Sequence, residues 1–233
     1  MINKLKVMAI IPARGGSKRL PKKNILPLAD KPLIHWTIEA AQKSKYVDNI
    51  FVSTDDKEIA NISRELNIFI PELRPPEIAT DETSTNDVLN YTINKFAENF
   101  DIILLLQPTS PLRTAQHIDE ALEFFIEKNA SAVISVTSCE YSPLWTNPLP
   151  SDLSMNNFIK EDSLKRSQEL EVYYRINGAI YILNKNQFIQ DKKIRYTDKS
   201  FAYIMPPYLS IDIDNELDFQ FANFIMCNNI SKC

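Results

Sequence analysis

The sequence contains very little glycine. Only three of its 233 residues are glycine, whereas an average usage of about 7% would give about sixteen. A chain this poor in glycine keeps it where the backbone needs a conformation or a close approach that a side chain would prevent. The two places that contain it, Gly15-Gly16 and Gly178, are therefore the first candidates for function.

Cysteine and histidine are also scarce. Three cysteines are too few for a disulfide framework, and the absence of a Cys-x-x-Cys pair argues against a cysteine-based zinc site. We interpret Cys139, Cys227 and Cys233 as reduced thiols. His35 and His117 each lie in a helical pattern without a second ligand nearby, which favours packing roles over catalysis or metal binding.

Two further absences limit the partners of the protein. No run of ~18 apolar residues occurs, so the sequence predicts no membrane span, and the N-terminal pattern is not that of a secretory signal. We therefore expect a cytoplasmic location. The 26 basic and 30 acidic residues give a net charge of −4, which argues against a nucleic-acid partner. Any anionic ligand has to be bound by local cations.

Short apolar, β-rich runs alternate along the chain with helical patterns. Runs that are apolar on both faces indicate buried parallel strands covered by helices, so we predict a doubly wound, mostly parallel α/β sheet in a single domain, 1–233. The predicted strands are 7–12, 49–53, 68–70, 101–106, 132–136 and 173–183. The predicted helices are 32–44, 56–66, 84–98, 114–128 and 214–227, the last with Leu217, Phe221, Phe224 and Ile225 as its buried face.

Segment 139–171 breaks this alternation. It contains three prolines among scattered polar residues and has no clear period. A long irregular excursion inside a regular domain is typical of an active-site lid or an oligomerisation arm.

A glycine turn with five cations follows the first predicted strand, in the sequence Arg14-Gly-Gly-Ser-Lys-Arg-Leu-Pro-Lys-Lys-Asn24. The carboxyl end of a strand is where open α/β sheets bind ligands. Glycine lets backbone N–H groups approach an anion, and the cations suit a polyphosphate. Neither the Walker A pattern nor the dinucleotide fingerprint is present. The alternative interpretation is a solvated basic loop with a tight turn.

Two aspartates one residue apart, Asp212 and Asp214, form the second candidate site. In a strand they would point to the same side, about 6.6 Å apart. Two carboxylates at that spacing can hold Mg²⁺ together with substrate phosphates. The alternative is that Asp214 caps the last helix and Asp212 is solvated.

Three polar segments complete the candidates. Prolines stiffen the loop that carries Gln107 and Arg113, so these side chains would be held with little entropy loss. Asn177-Gly178, inside a strand-like run, predicts either a bulge with close backbone approach or a hairpin turn. Arg74 and the polar stretch 80–86 follow the short run 68–70, again at a strand's carboxyl end.

The ordered motifs resemble those of the CMP-sialic acid synthetases, the acylneuraminate cytidylyltransferases. They read ARGGSKRLPKKN from Ala13, STDD from Ser53, RPPE from Arg74, LLQPTSPLRT from Leu105, RINGAIYI from Arg175 and SIDIDNELDF from Ser210. The resemblance covers residues 7–225, and the neighbouring KDO cytidylyltransferases match the first motif less well. It implies a Rossmann-like nucleotidyltransferase fold with a small dimerisation excursion.

The resemblance also implies a reaction. CTP and a nonulosonic acid, N-acylneuraminate in the first instance, give the CMP-sugar and pyrophosphate when the C2 hydroxyl attacks the α-phosphorus. Lys23 and Arg14 would stabilise the phosphates in this reaction, and one of the two aspartates, Asp212 in our assignment, would help to deprotonate the hydroxyl.

The resemblance assigns the remaining groups by motif. Mg²⁺ would be bound by Asp212 and Asp214, and the sugar acid by Gln107, Asn177 and Tyr181. The residues expected at the nucleotide are Arg14, Gly15, Ser17, Lys18, Lys23, Asn24, Arg74, Thr83 and Thr85.

Two departures from the family pattern concern the sugar. Members commonly carry Arg-Gln where this chain has Ser167-Gln168, so Arg166 or Lys165 is expected to pair with the sugar carboxylate. Trp145 stands where some members have a basic residue, and an aromatic side chain suits the 9-deoxy legionaminic or pseudaminic acids. Family members form dimers, and segment 139–171 or the stretch near Phe201 and Tyr203 would supply the arm.

Overall fold

A six-stranded sheet forms the centre of the molecule in the computed structural model, which describes residues 1–228, the side chain of Asp162 excepted. A two-stranded hairpin lies beside it. The strands are β1 (Val7–Pro12), β2 (Pro27–Leu28), β3 (Lys31–Pro32), β4 (Val47–Ser53), β5 (Ile102–Leu105), β6 (Ala132–Ser138), β7 (Tyr174–Asn184) and β8 (Ser200–Ile204).

The strand order of the main sheet is β4-β1-β5-β7-β6-β8. β4, β1 and β5 are mutually parallel, and β6 is parallel to β8. β7 runs antiparallel to both of its neighbours, β5 and β6. The prediction of a mostly parallel, doubly wound sheet is confirmed, with one antiparallel strand near its middle.

Helices cover both faces of this sheet. Alternate residues of β1 belong to separate apolar clusters, with Val7, Ala9 and Ile11 in one cluster and Met8 and Ile10 in the other. This arrangement explains why the strand is apolar throughout. The helices are α1 (Leu33–Lys43), α2 (Lys57–Glu65), α3 (Thr85–Phe96), α4 (Ala115–Glu127), α5 (Lys185–Asp191) and α6 (Glu216–Cys227).

Polar side chains set the starts of these helices. Asp56 accepts hydrogen bonds from the first turn of α2, and Ser84, Thr114 and Asn215 each form a reciprocal capping box. The predicted cap at Thr114 is confirmed. Asn215, and not Asp214, caps α6, so the carboxylate of Asp214 is left for other contacts.

A bulge interrupts the pairing of β6 with β7. Ile134 pairs with Tyr181, but Val136 pairs with Ile176, so extra residues of β7 lie between the two pairs. Gly178 lies in this bulge with a φ of 77°, a left-handed conformation that favours glycine. The bulge interpretation of Asn177-Gly178 is thus confirmed over the hairpin alternative.

Three expectations about the elements are wrong or incomplete. Residues 68–70 form no strand, because Asn67 turns the chain with a φ of 62° and no neighbouring strand pairs with the segment. β2, β3, β8 and α5 were not predicted. The segment that carries Asp212 and Asp214 is irregular and not a strand.

The buried face of α6 also differs from the expectation. Phe219, Ala222 and Ile225 are buried, whereas Leu217, Phe221 and Phe224 are exposed. Apolar residues occur all around this helix, so their spacing did not determine which face packs against the β2–β3 hairpin.

Segment 139–171 lies between β6 and β7. It contains three short 3-10 turns, Pro143–Trp145, Glu161–Ser163 and Ser167–Glu169, and no α-helix or strand. Cys139 and Cys227 are free thiols, as expected, while Cys233 lies outside the described residues. No helix within residues 1–228 has the length and apolar character needed to span a bilayer.

Candidate active site

A cavity of about 650 Å³ opens at the carboxyl ends of β1 and β5. It lies where the loops after these strands meet the segment that precedes α6. Eleven of the residues proposed from the sequence line it. These are Arg14, Ser17, Lys18, Lys23, Asn24, Arg74, Thr83, Thr85, Gln107, Asp212 and Asp214.

The loop after β1 is held in place by neighbouring side chains. Asn24 is buried, and its amide donates to the carbonyl oxygen of Arg14 at 2.9 Å. The N–H of Gly15 donates to Oδ1 of Asp55 at 3.0 Å. A Cβ at Gly15 would lie 2.6 Å from Oδ2 of Asp56, so only glycine fits there. Gly15 therefore brings the loop against the STDD motif, and its N–H is already used.

Two carboxylates around the cavity each contact two cations. Asp81 contacts Nη1 of Arg14 at 2.7 Å and Nζ of Lys18 at 2.5 Å. Asp214 contacts Nη1 of Arg19 at 2.7 Å and Nζ of Lys23 at 3.7 Å. The predicted cluster of basic residues thus faces the cavity together with carboxylates from distant parts of the chain.

Lys23 is the most enclosed of these four cations. Its side chain is 11% exposed, against 36% or more for the others. Its ammonium group also donates to the carbonyl oxygen of Ile213. Burial lowers the pKa of Lys23, although the nearby Asp214 and Asp212 raise it in part.

The segment that carries the two aspartates is fixed to the loop after β5. The N–H of Ile213 donates to the carbonyl oxygen of Thr109 at 2.8 Å, and the Thr109 side chain hydrogen-bonds to Asp212. Desolvation by the surrounding protein raises the pKa of the Asp212 carboxylate. The hydrogen bond from Thr109 lowers this pKa in part, and the nearby negative charge of Asp214 raises it further. A cation at this pair would relieve the repulsion.

The site contains two candidate metal-binding carboxylates and no larger set. Within residues 1–228, no group of three or more histidine, cysteine, aspartate or glutamate side chains is placed to hold a metal ion. This donor set fits Mg²⁺, which commonly binds to one or two carboxylates and completes its shell with water and substrate phosphates. Asp212 and Asp214 are the residues that would hold it.

Comparison with known proteins identifies the family. A family model described as cytidylyltransferase matches residues 8–223. The chain belongs to the cytidylyltransferase family.

Two relatives illustrate the similarity. The chain is 39% identical to the N-acylneuraminate cytidylyltransferase of Escherichia coli O18:K1:H7 over 222 residues, which cover 93% of this chain and 51% of that protein. It is 37% identical to the CMP-N,N'-diacetyllegionaminic acid synthase of Legionella pneumophila over 235 residues, which cover 95% of this chain and 97% of that protein. The chain spans about half the length of the N-acylneuraminate cytidylyltransferases that it matches.

Solved structures of cytidylyltransferases confirm the fold. The structure of CMP:2-keto-3-deoxy-manno-octonic acid synthetase complexed with CTP superimposes with a TM-score of 0.72. The two sequences are 17% identical, and the match covers 96% of this chain and 99% of the synthetase chain. At this identity the similarity shows the Rossmann-like nucleotidyltransferase fold alone.

Three of the residues assigned to the sugar do not line the cavity of this cytidylyltransferase. Asn177 is 1% exposed, donates to Oγ of Ser210 at 2.9 Å and accepts from Oγ of Ser135 at 2.6 Å. Tyr181 is half-buried in β7, and burial raises its pKa to about 12. Arg166 is exposed at the start of the 167–169 turn. Their roles in sugar binding stay predictions.

Gln107 lines the cavity and lies against the β7 bulge. A Cβ at Gly178 would be 2.7 Å from Oε1 of Gln107, so the absence of a side chain there leaves room for the glutamine. The completely buried Arg113 donates to the carbonyl oxygens of Gln107 and Ala179 at 3.2 and 2.9 Å. Arg113 therefore ties the Gln107 loop to β7, a contact that the sequence did not predict.

Asp81 and Asp55 were not assigned to this site from the sequence, although the polar stretch 80–86 and the STDD motif contain them. Asp55 holds Gly15, and Asp81 holds Arg14 and Lys18. Both come from segments more than 30 residues away from the basic loop along the chain, and neither lies in a pattern that indicates a partner. The STDD motif, conspicuous as a run of polar residues after a strand, was the available signal for Asp55.

Proposed function

We propose that this cytidylyltransferase activates a nonulosonic acid with CTP and releases pyrophosphate. The observation that carries this proposal is one cavity lined by the basic loop after β1, by Gln107 and by both Asp212 and Asp214. The cations can bind a triphosphate, and the two carboxylates can bind the metal ion that accompanies it. The same cavity leaves space for the acceptor beside both.

The basic loop is the proposed triphosphate site. Arg14, Ser17 and Lys18 lie on one wall of the cavity, and Lys23 extends from the end of the same loop toward Asp214. In the reaction, the oxygen of the acceptor hydroxyl bonds to the α-phosphorus, and the bond from that phosphorus to the bridging oxygen of pyrophosphate breaks. The partly buried Lys23 stabilises the negative charge that grows on the α-phosphate, because a preorganised cation acts strongly where water is excluded.

Asp212 is the proposed proton acceptor. The attacking hydroxyl has to lose its proton, and the Asp212 carboxylate lines the cavity in which the acceptor would bind. Mg²⁺ bound by Asp212 and Asp214 would supply Lewis-acid stabilisation of the phosphate oxygens. Thr109 orients Asp212 through its hydrogen bond, which keeps the carboxylate directed at the cavity.

Arg74 and the 80–85 loop are proposed to recognise cytosine. Arg74 is 7% exposed, and its Nε donates to Oγ of Ser53 at 3.1 Å. Its burial holds the guanidinium at the cavity, which Thr83 and Thr85 also line. Side chains held in this way can read a base edge with little loss of entropy.

The acceptor is proposed to be N-acylneuraminate, which several relatives use according to their names. A legionaminic-type acid is the second candidate. The Legionella pneumophila relative, a CMP-N,N'-diacetyllegionaminic acid synthase, matches this chain over 97% of its own length. Trp145 also fits a less polar sugar tail, although its indole N–H donates to the carbonyl oxygen of Ser163 at 3.0 Å and thereby ties the excursion together.

The protein is further proposed to act as a cytoplasmic homodimer through segment 139–171 and the neighbouring end of β7. This region exposes several large apolar side chains along one stretch of the chain, and exposed apolar surface of this extent is typical of a protein–protein interface. The exposed residues are Tyr141, Leu149, Leu153, Met155, Leu164, Val172, Tyr174 and Ile176. The alternative arm near Phe201 and Tyr203 is not favoured, since Phe201 packs on Phe124 and Tyr203 donates to Glu120 within the same chain.

A pyrophosphate-release assay with CTP and Mg²⁺ tests the function. The acceptors are N-acetylneuraminic, legionaminic, pseudaminic and KDO acids. We expect release with N-acetylneuraminic acid, and preference for a 9-deoxy acid would instead support the second candidate. Release with KDO alone, or with none of the acids while CTP still binds, would contradict the proposed acceptor class.

A further inference from the structure

The cations of the basic loop are paired with carboxylates of the protein. Asp81 is the carboxylate that contacts two of the residues assigned to the triphosphate, Arg14 at 2.7 Å and Lys18 at 2.5 Å. Each of its two oxygens contacts one cation, Oδ1 to Arg14 and Oδ2 to Lys18. A phosphate group that bridged the same two side chains would present its oxygens in a similar way.

Asp81 is carried by a loop whose shape is fixed independently of these ion pairs. The backbone N–H and the hydroxyl of Thr80 both contact Oγ1 of Thr83, at 3.2 and 2.9 Å. The N–H of Thr83 donates to the carbonyl oxygen of Thr80, and Ser84 begins α3 with a capping box. Arg14 is also within 3.4 Å of the Thr80 carbonyl oxygen. The backbone of this loop therefore holds Asp81 at the cavity.

The ion pairs of Asp81 are accessible to solvent. The side chains of Arg14, Lys18 and Asp81 are 36%, 76% and 45% exposed. The hydrogen bond from Lys18 is the largest cause that lowers the pKa of Asp81, so the carboxylate is charged at neutral pH. Exposed pairs of this kind are weak and exchange readily for another anion. A triphosphate that enters the cavity carries several negative charges and competes with this single carboxylate for Arg14 and Lys18.

We propose that the Asp81 carboxylate takes the place of a phosphate group of the substrate. It pairs with Arg14 and Lys18 in the nucleotide-free protein, and the triphosphate displaces it from these two side chains. This inference rests on the proposed function, because it takes these two cations as ligands of CTP. Binding then exchanges one anion for another. Release of pyrophosphate is assisted by the return of the carboxylate, so Asp81 lowers affinity for the nucleotide and for the leaving group alike.

The test measures the dissociation constants of CTP and of pyrophosphate by titration calorimetry for the wild type, Asp81→Asn and Glu82→Gln. Glu82 is the matched control, since it is exposed, adjacent in the same loop, and forms no ion pair in the part of the chain that the structure describes. Two exposed ion pairs predict that Asp81→Asn binds both ligands about 3- to 30-fold more tightly than the wild type. Glu82→Gln should change the affinity far less.

Each outcome decides between distinct accounts. The inference is overturned if Asp81→Asn binds CTP with the same affinity as Glu82→Gln. It is also overturned if Asp81→Asn binds CTP more weakly than the wild type, and that result would indicate that Asp81 positions Arg14 for CTP. A wild type and Glu82→Gln that both fail to bind CTP contradict the proposed function itself. Asp81→Ser serves as a second variant, with the same expected result, where thermal unfolding shows that Asp81→Asn does not fold.

Discussion

The ammonium nitrogen of Lys23 lies 3.7 Å from a carboxylate oxygen of Asp214 and donates to the backbone carbonyl of Ile213. These contacts join the loop after the first strand to a segment 190 residues further along the chain. They place the cation proposed to act on the α-phosphate beside the carboxylates proposed to bind Mg²⁺. The proposed reaction therefore depends on residues from both ends of the chain that the structure describes.

Replacement of Lys23 by alanine should lower kcat about 10²-fold or more, because it removes a cation directed at the charge that develops in the transition state. Lys22→Ala is the matched control, since Lys22 is exposed and pairs with Glu58 on α2 at 3.0 Å. Steady-state pyrophosphate release at saturating CTP gives kcat for both variants. Equal kcat values for Lys23→Ala and Lys22→Ala would show that Lys23 does not act on the phosphate.

Replacement of Asp212 by asparagine should either abolish activity or raise the Mg²⁺ concentration for half-maximal rate by about tenfold or more, since a neutral amide is a poor ligand for a hard cation. The measurement is the rate as a function of Mg²⁺. Glu216→Gln is the control, because Glu216 is exposed in the first turn of α6 and hydrogen-bonds to Gln220. A normal Mg²⁺ response with full activity in Asp212→Asn would contradict the metal assignment.

Gly178→Ala should destabilise the protein. Gly178 has a φ of 77°, and a Cβ there would be 2.7 Å from Oε1 of Gln107. The left-handed conformation alone costs alanine about 1–2 kcal/mol, which lowers the Tm of a chain of this size by about 2–8 °C. Gly16→Ala is the control, since within residues 1–228 no heavy atom beyond Gly16 and its two chain neighbours lies within 4 Å of its Cβ position. Similar melting temperatures for the two variants would show that the bulge accepts a side chain.

His117 should make folding sensitive to mild acid. Its Nδ1 accepts from the N–H of Thr114 at 3.2 Å, and burial lowers its pKa. The unfolded chain therefore takes up the proton first as pH falls below about 6.5, so the free energy of unfolding decreases there.

His117→Gln tests this pH dependence, because glutamine at this position can still accept the capping hydrogen bond but does not titrate. Urea unfolding at pH 7.5 and 5.5 should show a smaller loss of stability for His117→Gln than for the wild type. Burial also lowers the pKa of His35, so His35→Gln is measured alongside. An equal loss in the wild type and in His117→Gln would exclude His117 as the cause.

Local signals in the sequence were sufficient for much of the fold. The run 7–12 predicted β1 because it is apolar on both faces, and Thr114 predicted the start of α4 because its side chain caps the first turn. The basic loop followed from its cations and from its position after a strand. These features depend on residues close together in the sequence.

Features that depend on distant residues could not be predicted. The pairing of Asp81 with Arg14 joins positions 67 residues apart, and charge alone does not select one carboxylate among many. Asn177 was assigned to the sugar by its motif, but the antiparallel course of β7 buries it against Ser135 and Ser210. The packed face of α6 depended on where the β2–β3 hairpin lies, and the composition of the helix did not indicate it.

The most direct test of the account is ³¹P NMR of the wild type with CTP, Mg²⁺ and N-acetylneuraminic acid, with Lys23→Ala measured in parallel. We expect a CMP diester and pyrophosphate to appear in equal amounts, and to form more slowly in the variant, by about 10²-fold or more. Formation of CMP and pyrophosphate without a diester, or a diester formed equally fast by Lys23→Ala, would contradict this expectation.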